Sequence, residues 1–462
     1  MDNPHADTAQ QDKHPSFLIQ GPITRTLTQM TIPTILGIFA ILLFNIVDTY
    51  FIGLIGPKEL AAVSFTFPVS YVVLNISLGI GIGTTTSLSN RLGSGNFSEA
   101  RSMSRHGIFL AVLVAMVISQ LGIVTIDPLF RLLGASDQAL VLIREYMVIW
   151  YMGIPLLFLP MVGNSAIRAT GDTKTPSYIM MTAGLVNGIL DPILIFGLGP
   201  IPAMGIQGAA LATVISWLMA SIAVLWCLKV LNAISYDNDW LKPSALASWK
   251  PILAIGVPAG ATNFIPPIAA GIITRMVAEH GDAAVAGFGV GTRIEAIALV
   301  VIMALSSTLT PFIGQNYGAR LFHRIRKGLR ISITFTVLWE LLMTLLLVVL
   351  ANVIARQFSD DEEVIATTTL FLWCLPISYG CQGVVMLCCS AFNALQKPLL
   401  GTLVNSLRLF ILAVPAAFVG SVYFGLPGLF IGISIAQVIA AVITLVFFIN
   451  RFHQLASEQQ TA

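Results

Sequence analysis

Two carboxylates, Asp48 and Asp191, stand inside stretches that are otherwise apolar. An ionised aspartate in mid-bilayer costs several kcal/mol, so an acid in such a place faces a wet cavity, a partner or an ion. Asn45 lies one helical turn before Asp48 on the same face, with Thr49 beside it. Asn187 and Asp191 are spaced i, i+4 and share a face, and Pro192 follows directly. Two carboxylates on two helices of one lobe could share a proton and titrate as a coupled pair, because removing one charge relieves the repulsion of the other. Asn164, Thr213 and Ser216 are placed to add amide or hydroxyl oxygens to such a pocket. The same oxygens, at Asp48, Asn187 and Asp191, would equally suit a hard cation such as Na⁺. The purely structural alternative has Asp191 pairing helices through Asn164 or Thr213, and Asp48 snorkelling to the outer interface.

The second half embeds other charges: Arg293, Glu295, Glu340 and Arg408. Arg293 and Glu295, two apart, diverge on a helix, so Glu295 is free to pair with Arg408 while Arg293 shapes a cavity. Asn45, Tyr71, Tyr146 and Arg293 are the residues read as lining a forgiving, largely apolar substrate cavity. Pro33 removes a backbone hydrogen bond ahead of Asp48 and is read as a hinge. Five cysteines, all in apolar segments, build no disulfide framework. There is no P-loop, no metal-binding His and Cys pattern and no nucleophile elbow, so neither nucleotide hydrolysis nor another enzyme activity is expected.

These residues need elements that cross a bilayer. With 56% hydrophobic and 10% charged residues, the 462-residue chain departs from the composition of soluble domains. Its apolar windows are long enough to span about 30 Å of hydrocarbon as helices. They lie at 29–54, 62–90, 106–127, 141–165, 175–198, 207–231, 251–278, 284–314, 331–353, 365–392, 399–422 and 427–450. The fold class is therefore all-α integral membrane with twelve transmembrane helices. Residues 1–28 are polar, hold no signal peptide and read as a cytoplasmic tail, as do 451–462. With the amino terminus inside, seventeen of the 24 Lys and Arg residues fall on cytoplasmic connections and tails, so both termini are expected in the cytoplasm. The cluster Arg320 to Arg330 reads as topogenic and solvated. A net charge of +2, spread over many loops, gives no reason to expect nucleic acid as a partner.

The halves echo one another at a spacing of 225 residues: Ile32-Pro33 with Val257-Pro258, Gly56 with Gly281, Gly93 with Gly318, Ser165-Ala166 with Ser390-Ala391, and Ala169 with Ala394. Duplication makes two six-helix lobes, 29–231 and 251–450, joined by a cytoplasmic linker at 232–250. An even number of helices per lobe makes them parallel repeats about a pseudo-two-fold axis along the membrane normal, an architecture suited to alternating access. At this spacing Asp48 meets Ile273, and aligning Pro192 with Pro415 sets Asp191 against Val414, so the paired acids belong to the first lobe alone.

Val47-Asp48-Thr49 with Phe51-Ile52-Gly53, the loop centred on Gly93, Arg168 to Asp172 through Lys174-Thr175-Pro176, Asn187 to Pro192, and Gly289 to Glu295 together resemble the multidrug and toxic compound extrusion (MATE) transporters. The resemblance covers residues 25 to 450 and is strongest to the DinF-like branch. It implies a secondary antiporter of the inner cell membrane that exports cationic or amphiphilic drugs in exchange for H⁺, with no cofactor and as a monomer. It also implies that Asp48, Asn164, Asn187, Asp191 and Thr213 form the coupling site, with Asp48 and Asp191 protonatable. The acids that the NorM-type branch carries in helices 7 and 10 have no equivalent here. Two alternatives remain: Na⁺ coupling, and a lipid-linked oligosaccharide flippase of the same superfamily, against which twelve helices and paired acids argue.

Overall fold

A computed structural model describes residues 17–230 and 244–461, almost all of them helical. In chain order the first half forms α1 (Phe17–Gln20), α2 (Ile23–Ile55), α3 (Pro57–Gly93), α4 (Phe97–Leu132), α5 (Asp137–Ala169), α6 (Lys174–Phe196) and α7 (Gly205–Val230). The second half forms α8 (Ser244–Thr262), α9 (Ile265–Ala278), α10 (Asp282–Ala298), α11 (Val300–Gly318), α12 (Phe322–Ala355), α13 (Glu362–Cys374), α14 (Tyr379–Ala394), α15 (Pro398–Ser406) and α16 (Val414–Thr461). A 3₁₀ turn, Pro376–Ser378, joins α13 to α14, and a π-helical turn, Leu407–Ala413, joins α15 to α16.

Among the described residues, ten helical stretches are long and apolar enough to cross a membrane, and α10 with α11, bent by 45°, makes another. One of the ten, Pro398–Glu458, has 61 residues, roughly 90 Å of helix rise against about 30 Å of hydrocarbon. It reverses at Gly425, where φ is 63° and ψ is −152°. Past the turn Gly428 lies so close to Gly420 that a Cβ on Gly420 would meet the Gly428 carbonyl oxygen at 2.0 Å. That run is two antiparallel spans, which makes twelve. The protein is a multi-pass integral membrane protein of twelve helices in two lobes.

Helix ends differ from the hydropathy boundaries. The first span begins at Ile23, inside the stretch read as a tail, and the last continues to Thr461. Hydropathy marks where a segment meets lipid, whereas a helix persists into water as long as its backbone bonds are satisfied. The compact units are likewise not bounded at the linker, whose residues 232–243 lie outside the described residues. One unit contains Gln29–Gly260 and the other Gly21–Thr28 with Ala261–Ala462. Packing explains the shift: a Cβ on Gly83 would stand 2.1 Å from the Ile252 carbonyl oxygen, and one on Gly79 2.6 Å from that of Gly256, so α8 begins pressed on α3. Reciprocally, Ile23 and Leu27 of α2 join a core with Leu309 and Phe312 of α11.

The 225-residue repeat is visible in backbone conformation. Gly95 (φ 79°) corresponds to Arg320 (φ 57°), and Gly171 (φ 103°) to Gln396 (φ 60°). Arg320 and Gln396 are the non-glycine residues with positive φ among those described, and each stands where the first half has a glycine. Side-chain packing repeats too. In the first half Thr85 Oγ1 donates to the Ser165 carbonyl, and a Cβ on Gly81 would meet Ser165 Oγ. In the second, Ser306 and Ser390, the counterparts of Gly81 and Ser165, bond hydroxyl to hydroxyl at 2.6 Å.

Candidate functional site: the paired acids of the first unit

The loop after α5 fixes where α6 starts. Gly171 supplies the left-handed turn, and Asp172 Oδ1 accepts the N–H groups of Lys174 and Thr175 at 2.9 and 3.0 Å, capping α6. Thr173 Oγ1 donates to the Met30 carbonyl of α2 at 2.8 Å. Farther along, α6 offers glycine to α2: a Cβ on Gly184 would lie 3.6 Å from Phe44 Cβ, and one on Gly188 3.6 Å from Val47 Cγ1. Small residues let the two helices run close, and the next turn of each carries its acid.

Asp191 is fully buried, as is Asn187. With its amide oriented to satisfy both neighbours, Asn187 donates to Asp191 Oδ2 at 2.9 Å and accepts from the Thr213 N–H at 3.2 Å. The reverse orientation offers only Nδ2 to Thr213 Oγ1 at 3.3 Å and turns the amide oxygen on the carboxyl, so the first is adopted. Thr213 is held opposite Asn187 because α6 and α7 nearly touch: a Cβ on Gly208 would come 2.4 Å from the Leu194 carbonyl oxygen. Asp48 is half-buried, and its Oδ1 is sealed from solvent without a hydrogen-bond partner. The two carboxyls lie within electrostatic reach of each other, and the buried Tyr146 hydroxyl lies within reach of both. Tyr146, read from the sequence as a cavity residue, therefore stands beside the acids.

The other candidates are dispersed. Asn45 spends its amide on the Ile41 carbonyl at 2.9 Å, and Thr49 its hydroxyl on the Asn45 carbonyl at 2.7 Å, both within α2. Asn164 is buried on α5 with Oδ1 unpartnered, five turns and about 27 Å of helix rise from Tyr146, and no hydrogen bond joins it to Asn187 or Asp191. Tyr71 is exposed on α3, and Asn75 Nδ2 donates to its carbonyl. Pro33 sits in a continuous α2, in the turn where Thr34 and Thr173 hydroxyls both donate to Met30 O. Arg293 is exposed on α10 of the second unit.

The second unit holds its own polar group. Gln382 Nε2 donates to Glu295 Oε1 at 3.2 Å, Arg408 Nη1 approaches Gln437 Oε1 at 3.5 Å, and Glu295 and Arg408 feel one another's charge. Arg408 lies in the π-helical turn, a distortion frequent where a helix serves a site. The glutamines were missed from sequence because a neutral amide in an apolar segment carries little signal by itself.

The MatE family model matches this chain twice, over residues 33–193 and 258–419, so its two starts are 225 residues apart. The chain is 40% identical over 436 residues to a protein of Shewanella oneidensis described as an FAD transporter, covering 94% of this chain and 95% of that one. It is 24% identical to the multidrug export protein MepA of Staphylococcus haemolyticus over 94% and 95% of the two chains. Among solved structures, the Vibrio cholerae MATE transporter VcmN in its bent form superposes with a TM-score of 0.90 at 32% identity, over 94% of this chain and 98% of that one.

Proposed function

The chain belongs to the MatE family, a family of membrane transporters and not of enzymes, and from that premise we propose that it is a secondary antiporter in which Asp48 and Asp191 bind the coupling proton. The observation that carries this reading is a pair of membrane-embedded carboxyls, on α2 and α6, within electrostatic reach of each other and with no ion pair to either among the described residues. Two neighbouring carboxylates repel, and a proton shared by the pair relieves that repulsion. Releasing that proton leaves a charge that must be rehydrated or neutralised, which biases the helices toward a different packing. With Asn187 oriented so that its NH₂ faces Asp191, the pair lacks the amide oxygen that a hard cation would take as a ligand, which supports the proton reading. Na⁺ coupling, the alternative, requires that amide to rotate.

For cargo we propose amphiphilic aromatic compounds expelled by alternating access. A flavin dinucleotide is the first to test, because the protein described as an FAD transporter is 40% identical over nearly the full length, against 24% for the multidrug exporter MepA. Inside-out vesicles offered external FAD and, separately, an external cationic dye discriminate the readings. Collapsing the pH gradient should stop uptake of the true cargo, and collapsing the Na⁺ gradient should leave it running. Uptake that survives loss of the pH gradient but fails with loss of the Na⁺ gradient replaces proton by sodium, and uptake indifferent to both removes ion coupling.

A further inference from the structure

His323, Arg326, Lys327 and Arg330 follow one another at i, i+3, i+4 and i+7, so the first turns of α12 bear a single basic stripe. Lys327 and Arg330 have no acidic partner among the described residues, whereas Arg324, on another face, is engaged with Asn316 Oδ1 and the Gly21 carbonyl. Continued toward the bilayer, the same stripe loses its charge, passing to Ile333, Thr334 and Val337. Opposite it, α16 presents Leu445, Phe448, Ile449 and Phe452 at helical spacing, ending in His453. Arg326 Nη2 donates to His453 Nε2 at 2.6 Å and ties the two stripes together at the boundary.

Between the stripes lie two confluent cavities. A basin of about 730 Å³ is lined by His323, Arg326, Lys327, Arg330 and His453, and a groove of about 380 Å³ by Leu329, Ile333, Leu445, Phe448 and Ile449. Arg326, Arg330, Phe452 and His453 border both, and among the described residues no acid lines either. A cationic basin opening into a largely apolar groove between two membrane-spanning helices suits an amphiphile with an anionic head. We propose that this is a binding site for an anionic phospholipid, its phosphate held by Arg326, Lys327 and Arg330 and one acyl chain laid between α12 and α16. A soluble anion would use only the basin and leave the groove wet. The site lies on the side that the Lys and Arg distribution assigns to the cytoplasm, and it gives the basic cluster a ligand beyond orienting the chain.

Native mass spectrometry of the intact protein in detergent tests this, with phosphatidylglycerol and phosphatidylcholine of identical acyl chains as probes. One phosphatidylglycerol should be retained at concentrations where phosphatidylcholine is not. The double variant Lys327→Gln, Arg330→Gln should weaken that retention by about 30-fold. Thr334→Trp, which blocks the groove and keeps every charge, should also lose it, so an effect of charge on folding or topology cannot mimic the result. Inorganic phosphate in excess should weaken retention by no more than the double variant does, because it competes for the basin and not for the groove. Equal retention of the two lipids, retention unchanged in both variants, or complete displacement by phosphate together with full retention in Thr334→Trp would each overturn the proposal.

Discussion

Asp191 touches Thr213 only through Asn187, so the amide works as a relay that must satisfy a carboxyl and a backbone N–H together. Replacing Asn187 by Leu leaves the Asp191 carboxyl without its donor in a fully buried site, which costs about 1–3 kcal/mol. Thermal unfolding in detergent should report a lower midpoint, and a midpoint equal to wild type would show that Asp191 does not depend on Asn187. Asp48 invites a different test, because its Oδ1 has no partner and so contributes little to folding. Asp48→Asn should fold normally yet lose gradient-driven efflux at least about tenfold, a barrier change of only about 1.4 kcal/mol. Undiminished efflux from that variant would remove Asp48 from the coupling step.

At the scale of elements, glycine governs how near the helices come and hence which side chains meet. Gly208 lets α7 rest on the Leu194 carbonyl, and that register sets Thr213 against Asn187. Gly208→Ala forces backbone apart, at a cost of roughly 1–3 kcal/mol. Loss of both thermal stability and efflux is expected, and full activity with full stability would show that the register tolerates displacement. The turn at Gln396 offers the opposite change. Its φ of 60° strains a side chain where the repeat has Gly171, so Gln396→Gly should stabilise by about 0.5–1 kcal/mol once the entropy of glycine is deducted. A lowered melting temperature would show that the Gln396 side chain contributes more than the strain it imposes. These loops explain why the family's motif from Arg168 to Pro176 is informative: it closes α5, caps α6 and fastens both to α2.

For the whole molecule, we propose that both ends lie on the cytoplasmic side, because an even number of spans returns the chain to the side it started from and the excess of Lys and Arg falls on that side. Single exposed cysteines at Ser94 and Ser457 should react with an impermeant thiol reagent from the same face of oriented vesicles, and one at Gln138, across α4, from the other. Labelling of the Ser457 variant together with the Gln138 variant would break the twelve-span topology. The five native cysteines, half-buried or buried, should add little background.

Sequence by itself determined the span count, the duplication and the presence of two membrane-embedded acids in the first half, because hydropathy, helical periodicity and a fixed spacing are local properties of the chain. It also placed Asn187 and Asp191 on one face, since i, i+4 neighbours meet in any helix. What it left open depends on contacts between helices. Only the tertiary structure decided that Tyr146 stands beside the acids while Asn164 is not bonded to them, and that Gln382 reaches Glu295. The same holds for α8, whose start packs on α3 and so moves the edge of the first unit to Gly260. Close backbone approach at Gly79, Gly83 and Gly208 sets how these helices pack, and a glycine in a sequence does not say which neighbour it admits.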